Sequence, residues 1–425
     1  MLPDATLTVE RKYQLLSDIN QRLIGTLDLD QILEELLDSV ATFITFDAGG
    51  IFVLNEDPTI AAGWQPRQFI SSIVWRGYPS HPAPDDPMLT QGRGIIGQVI
   101  RSGMPLVAPD VRVDPYYVAG RELTLSEIAV PIRIGERTIG ALNLESNALA
   151  AFSQSDAAVL GFFADAAALS IDKAILHRRL LDQERLKKQL RLARDVQARL
   201  LPAHSPTMPG YDIVGICVPA FEIGGDYYDF IDLAGDHLGL VVADVSGEGV
   251  PAAMIMTAFR ALLRTHARQI DRPDAVANLL NHLLPEFTGQ VDFVTAVYGV
   301  LQPETGSFTY VNCGHNPPFV LRWSGAVDFL PPAGPLLSIF NDPAYQAAEI
   351  ALAPGDTLIL YTDGIVELAD EAYREYGLDR LQATALAHRS RPALELIDCL
   401  LADARQHAQR DLFSDDLTLL VARRL

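Results

Sequence analysis

Cysteine is scarce in this chain. Cys217, Cys313 and Cys399 are widely separated and form no C-x-x-C pair. That spacing excludes a thiolate metal site and makes a poor disulfide framework, so a reducing, cytoplasmic setting is expected. Long apolar runs are missing too. The stretch from Ala157 to Ile171 is broken by Asp165, and no segment is long enough to span a bilayer. Leu2, Pro3 and Asp4 open the chain without a basic region leading into an apolar one, so no signal peptide and no membrane partner are expected. Positive charge is in deficit: 33 Lys and Arg stand against 54 Asp and Glu, a formal net charge of -21. A nucleic-acid surface needs a clustered cationic footprint, which this balance excludes. No G-x-x-x-x-G-K-[ST] run occurs, which excludes a P-loop nucleotide switch.

What is present is a globular chain of 425 residues, 49% hydrophobic and 20% charged, enough for two or three cores. Three blocks follow one another. In the first, Leu29, Ile32, Leu33, Leu36, Leu37, Val40 and Ile44 recur at helical spacing. Strands are predicted over Gly49–Leu54 and Phe69–Trp75, with a loop through the Pro-rich stretch from Pro79 to Pro87. A short helix opens at Gly92-Arg93-Gly94-Ile95-Ile96-Gly97, and Ile128–Ile134 with Thr138–Leu144 reads as a hairpin. A helix capped by Ser153 or Ser155 closes this α+β block. The second block, Asp172 to Leu201, is charged and helical, with no Gly or Pro before Pro202. Leu176, Leu186, Leu190, Ala193 and Leu200 fall near a heptad stripe interrupted by Arg179, Gln183 and Gln197. It is read as a dimeric coiled-coil linker, with a solvated single helix as the alternative. The third block, from Tyr211, alternates helices with near-continuous apolar strands such as Leu238–Ala243, Phe293–Leu301, Thr357–Tyr361 and Leu417–Val421.

In that third block aspartates stand at strand ends and in Gly-containing turns: Asp226 after Gly224-Gly225, Asp244 before Val245-Ser246-Gly247, Asp363 before Gly364, and Asp415-Asp416 before Leu417. Singly, each is an ordinary turn residue. Gathered in one domain, they would form a cluster of like charges that needs cations, and oxygen-only ligation suits hard divalent ions such as Mg²⁺ or Mn²⁺.

The order of these segments is distinctive. Glu222-Ile-Gly-Gly-Asp226-Tyr-Tyr-Asp229, Ala243-Asp244-Val-Ser-Gly-Glu-Gly-Val-Pro-Ala-Ala-Met254, Asn312-Cys-Gly-His-Asn-Pro-Pro318, Tyr361-Thr-Asp363-Gly-Ile-Val-Glu367 and Asp415-Asp416-Leu-Thr418 succeed one another. With the lead-in Asp195 to Pro202, they resemble the PPM-type serine/threonine phosphatases of the bacterial sporulation stage II E and sigma-factor-regulator group. The resemblance implies an α/β PPM phosphatase fold, a β-sandwich flanked by helices. It implies two ions, Mn²⁺ or Mg²⁺, held by Asp226 and Asp244 with the backbone carbonyl of Val245, and by Asp363 and Asp415. Gly225, Gly364 and Asp416 support that site. The implied reaction is hydrolysis of phosphoserine or phosphothreonine on a protein, with an anti-sigma-factor antagonist as substrate. A scaffold whose phosphatase fold only binds a partner is the alternative. Glu248 is read as an exposed loop residue and His315 as structural. The chain departs from the family at Gly334-Pro335-Leu336-Leu337-Ser338, where a second Gly is usual.

The first block resembles a GAF domain through Gly92–Gly97, Asp110-Val111 with Asp114-Pro115-Tyr116, Ile128–Ile132, Ile139–Ser146, Phe152 and Asp156. The resemblance implies a central antiparallel sheet with flanking helices and leaves the ligand unknown. The block has no cysteine for a bilin, and Ala157 breaks the cyclic-nucleotide pattern after Asp156. His81 is not read as a haem ligand. The expected organisation is a GAF domain over residues 10–175, a helical linker over 176–202 and a phosphatase domain over 203–425. A homodimer through the GAF domain and linker is expected.

Overall fold

The structure, a computed structural model, describes residues 26–54, 70–79, 92–289, 291–341, 343–409, 413 and 415–425. The expected features at residues 10–25, Phe69, and His81 and its loop lie outside these residues. The chain divides into two compact units, Met1–Arg185 and Leu186–Leu425.

In the first unit, helix α1 (Leu29–Ala41) starts where Asp28 accepts a hydrogen bond from the Gln31 amide at 3.1 Å. Strands β1 (Ala48–Leu54) and β2 (Ile70–Arg76) precede helix α2 (Gly94–Ser102), which Gly103 ends in the left-handed conformation, φ 65°. Strands β3 (Leu106–Ala108), β4 (Ser126–Ile134) and β5 (Arg137–Ser146) complete an antiparallel sheet in the order β2-β1-β5-β4-β3. Side chains alternate across the pleat. Ile51, Val53, Ile128, Val130, Leu142 and Leu144 pack against α1 and against helix α3 (Gln154–Ala198). Phe52, Ala129 and Ala141 pack under α2 on the other face. Helix α3 begins with a reciprocal cap: Ser153 Oγ accepts the Asp156 amide, and Asp156 Oδ2 accepts the Ser153 amide at 2.7 Å. With no Pro to interrupt it, α3 runs on through the charged stretch as one helix and stops at Ala198, three residues before Leu201. Its last buried residue is Ala174; beyond it Leu176, Leu180, Leu186, Leu192 and Val196 are exposed.

The second unit is a four-layer sandwich. Strands β6 (Tyr211–Val218), β7 (Tyr227–Asp232) and β8 (Leu238–Val245) are followed by helices α4 (Gly249–Ala267) and α5 (Pro273–Leu283). Strands β9 (Val294–Leu301), β10 (Ser307–Cys313), β11 (Phe319–Leu321), β12 (Val327–Phe329), β13 (Ala348–Ala351) and β14 (Thr357–Tyr361) come next. A one-turn helix α6 (Asp363–Val366), helices α7 (Leu378–Ala387) and α8 (Ala393–Ala408) and strand β15 (Leu417–Arg424) close the unit. Two antiparallel sheets result, β13-β10-β9-β8-β7 and β12-β11-β14-β15-β6. Their inner faces meet through Tyr228, Phe230, Leu240, Val242, Val297, Leu358, Leu360 and Leu420. The outer face of the first sheet is covered by α4 and α5, and that of the second by α7 and α8. Coverage on both faces explains the near-continuous apolar strands. Strands β6, β7, β12 and β13, and the full length of β15, were not evident from pattern alone; β12 and β13 are three and four residues long and half-exposed.

Candidate active site

The aspartates converge because of strand register. In β7 and β8, Tyr227 pairs with Ala243, so Asp226 enters beside Asp244 as the latter leaves its strand. In the other sheet Tyr361 pairs with Leu419, and the Thr362 amide donates to the Thr418 carbonyl at 3.1 Å. Asp363 therefore comes beside Asp415 and Asp416, and both sheets present these ends at one end of the sandwich.

Asp226 is buried, and one of its oxygens is fully engaged. Thr362 Oγ1 and Thr418 Oγ1 both donate to Oδ2, at 2.8 and 2.7 Å. The Asp226 carboxyl also lies within hydrogen-bonding reach of Asp244. Asp416 is the pin of the turn: its Oδ2 accepts the Gly225 amide at 2.8 Å and its Oδ1 accepts the Ala220 amide at 2.9 Å. Asp415 is exposed, Asp244 and Asp363 half-buried. Close approach dictates the glycines. A Cβ on Gly364 would stand 1.9 Å from the Asp416 carbonyl oxygen, and one on Gly225 would stand 2.7 Å from the Val245 carbonyl oxygen.

The electrostatics are those of an anion-rich site. Burial, then the charge of Asp244, holds the Asp226 carboxyl well above the usual range. Burial, then Asp363, Asp415 and Asp416, raises Asp244. Burial raises Asp363 and Asp415, with Asp363 adding to the shift of Asp415. Among the described residues no Lys, Arg or His side chain pairs with any of these carboxylates. Nor, among the described residues, do three Asp, Glu, His or Cys side chains close up into a ready cage for one ion. A hard ion of the Mg²⁺ kind keeps several waters and takes only one or two carboxylates, so an oxygen-only set with the Val245 carbonyl beside Gly225 fits it.

Side chains with no role assigned from sequence complete the frame. Thr362 and Thr418 are the first; their only signal was a Thr next to Asp363 and another two residues after Asp416. Gln197, read as an interruption of the heptad stripe, instead grips the site: Nε2 donates to the Gly224 carbonyl at 2.7 Å and Oε1 accepts the Gly224 amide at 3.2 Å. Arg260 on α4 donates to the Leu200 carbonyl at 2.6 Å. His315 is structural, as expected. Its Nε2 donates to the Tyr361 carbonyl at 3.0 Å and its Nδ1 accepts from Thr295 at 2.8 Å, tying the two sheets together. Burial pushes its pKa down to about 4, which keeps the ring neutral. Glu248 is exposed, as expected. Asp229 is buried and turns away from the site to pair with half-buried Arg264, at 2.6 Å. Ser338, at the position of the usual Gly, keeps a left-handed backbone, φ 80°, held by the Asn281 side chain on its amide and by Thr288 on its hydroxyl.

Residues 234–425 match the Stage II sporulation protein E (SpoIIE) family, and residues 26–172 match the GAF domain family. The chain is 29% identical over 245 residues to the phosphoserine phosphatase RsbU of Bacillus subtilis, covering 57% of this chain and 72% of that protein. It is 27% identical over 263 residues to protein IcfG of Synechocystis sp., covering 56% of this chain and only 41% of that protein. The SiaA-PP2C domain of Pseudomonas aeruginosa superimposes with a TM-score of 0.50 at 20% identity, over 57% of this chain and 98% of that domain, which shows a shared fold.

Proposed function

Because the chain joins a GAF domain to a phosphatase domain of the SpoIIE family, we propose that it is a metal-dependent protein phosphatase acting on phosphoserine or phosphothreonine. The observation that carries this reading is the arrival of Asp226, Asp244, Asp363 and Asp415 at one end of the sandwich with no cationic side chain paired to them among the described residues. Asp226 and Asp244, with the Val245 carbonyl, would hold one side of a two-ion site, Mn²⁺ or Mg²⁺. Asp363 and Asp415 would hold the other. Bound there, such ions make a hydroxide available at neutral pH and offset phosphoryl charge. Thr362 and Thr418 orient Asp226, and Asp416 fixes the turn that presents it.

The substrate in this reading is a phosphorylated anti-sigma-factor antagonist, supported by similarity to a phosphoserine phosphatase. Control is assigned to residues 10–175 acting through the linker, 176–202, on the domain 203–425; the grip of Gln197 on Gly224 supports that route. Homodimerisation through the GAF domain and α3 is supported by exposed Leu176 and Leu186, which lie on the heptad stripe of α3. Three free cysteines suit a cytoplasmic setting.

The test is Mn²⁺-dependent hydrolysis of p-nitrophenyl phosphate and of a serine-phosphorylated antagonist protein. Turnover should require the metal and fall to background in Asp226→Asn and Asp363→Asn. Turnover unchanged in both variants would refute the site. Phosphoprotein binding without turnover, in the whole chain and in one starting near Ala193, would favour the scaffold.

A further inference from the structure

One end of the α2-facing side of the first sheet is polar although it is buried. Cross-strand register sets Asn143 on β5 between Gly50 of β1 and Ala129 of β4, and sets Glu145 between Ala48 and Glu127. Glu127 is 3% exposed, Glu145 5% and Asn143 0%. Next to two carboxylates, β1 contributes only Ala48 and Gly50, with almost no side-chain bulk.

The hydrogen bonds leave this group short of donors. Tyr78 donates to Glu145 at 2.5 Å, and Thr124 donates to its other oxygen. Asn143 Nδ2 donates to Glu127 at 3.2 Å, with longer contacts to Tyr78 and Glu145. Asn143 Oδ1 is buried and has no partner. Among the described residues no Lys, Arg or His side chain pairs with Glu127 or Glu145. Burial, then the charge of Glu145, holds the Glu127 carboxyl well above the usual range. Both Glu145 oxygens have a hydroxyl donor, Glu127 has only the Asn143 amide and Asn143 Oδ1 has none, so two buried carboxyls and an amide oxygen with no cation beside them ask for one compact group that brings positive charge and N–H bonds.

We propose that Glu127, Asn143 and Glu145 form a binding site in the N-terminal domain for a small molecule bearing a primary ammonium group. An ammonium carries three donors and no acceptor, one for each of Glu127, Glu145 and Asn143 Oδ1. A quaternary ammonium has the charge but no N–H to give. A phosphate-bearing ligand is repelled by the carboxylate pair. Trp75 stacks on Tyr78 at 4.8 Å, which holds the phenol that orients Glu145.

The experiment is calorimetric titration of the full chain with ethanolamine, and with choline, ethylene glycol and potassium chloride as matched comparisons. Thermal melting of the unliganded protein and of Glu127→Gln accompanies it. Ethanolamine should bind saturably, the three comparisons should not, and Glu127→Gln should weaken ethanolamine at least tenfold. The same variant, without ligand, should melt higher than the parent, because a neutral amide of the same shape replaces a buried carboxyl that faces Glu145 with no protein cation beside it. Choline or potassium binding as well as ethanolamine would overturn the assignment. So would absence of ethanolamine binding together with a lower melting temperature for Glu127→Gln, since the carboxylates would then be a structural pair sharing a proton.

Discussion

A methyl group on Gly364 would stand 1.9 Å from the Asp416 carbonyl oxygen, and that oxygen is backbone, so it cannot swing aside. The strand start carrying Asp415 and Asp416 would have to move, and with it the carboxylate that caps Gly225. Gly364→Ala is therefore expected to lower kcat/KM by about 100-fold, the usual cost of displacing a catalytic frame by an ångström. Steady-state kinetics at saturating Mn²⁺ check this. At this scale the sequence singled out the acidic positions that the strands bring together and gave no sign of their threonine supports. Asp226, Asp244, Asp363 and Asp415 were legible together, as aspartates of successive turns in one block, although each alone is an ordinary turn residue. Thr362 and Thr418 were not, since a hydroxyl at a strand end is commonplace and the two meet only through pairing of strands 56 residues apart. Ser338 was legible as a departure, but not the Thr288 and Asn281 contacts that hold it.

Helices α7 and α8 are joined by a polar knot of a kind periodicity cannot reveal. Asp403 on α8 accepts Arg380 at 2.7 and 2.9 Å, Tyr376 at 2.8 Å and Thr384 at 2.9 Å. These donors, Arg380 above all, hold the Asp403 carboxyl far below its ordinary value. A carboxyl depressed in the folded state adds stability above its unfolded pKa of about 3.9 and loses it as pH falls toward the folded value. Asp403→Asn should thus cost about 1 kcal/mol at pH 7, discounted for the part-exposed Arg380. The gap between variant and parent should close below about pH 4. Urea unfolding from pH 7 to 3, followed for this unit, measures it. Gln197 gives the corresponding prediction for α3. Gln197→Ala removes both contacts to Gly224 and should reduce turnover more than it reduces melting temperature. Equal activity in the variant would sever the proposed route from linker to site. The heptad reading noticed Gln197 only as a flaw, because a partner 27 residues away is invisible to a seven-residue repeat.

Across the whole molecule, the division into a sheet-and-helix sensor and a sandwich was legible from the order of motifs. The neighbours within each sheet were not. The pairing of β6 with β15 joins strands at opposite ends of the second unit, and β6 itself, with Gly215 inside it, has no clean alternation. The exposed Leu176, Leu180, Leu186 and Leu192 of α3 yield the last expectation. Light scattering should return twice the chain mass, and Leu180→Glu with Leu186→Glu should halve it. The bond from Gly225 to Asp416 spans 191 residues, and it has a bearing on how the protein is born. A nascent chain halted between Arg185 and Asp416 already holds the residues of the first unit, yet its aspartate turn has nothing to rest on. Domains fold as units with the N-terminal one first during synthesis. In this molecule, then, the first unit can assemble before the aspartate end of the sandwich, and a product cut short before Asp416 would lack that end.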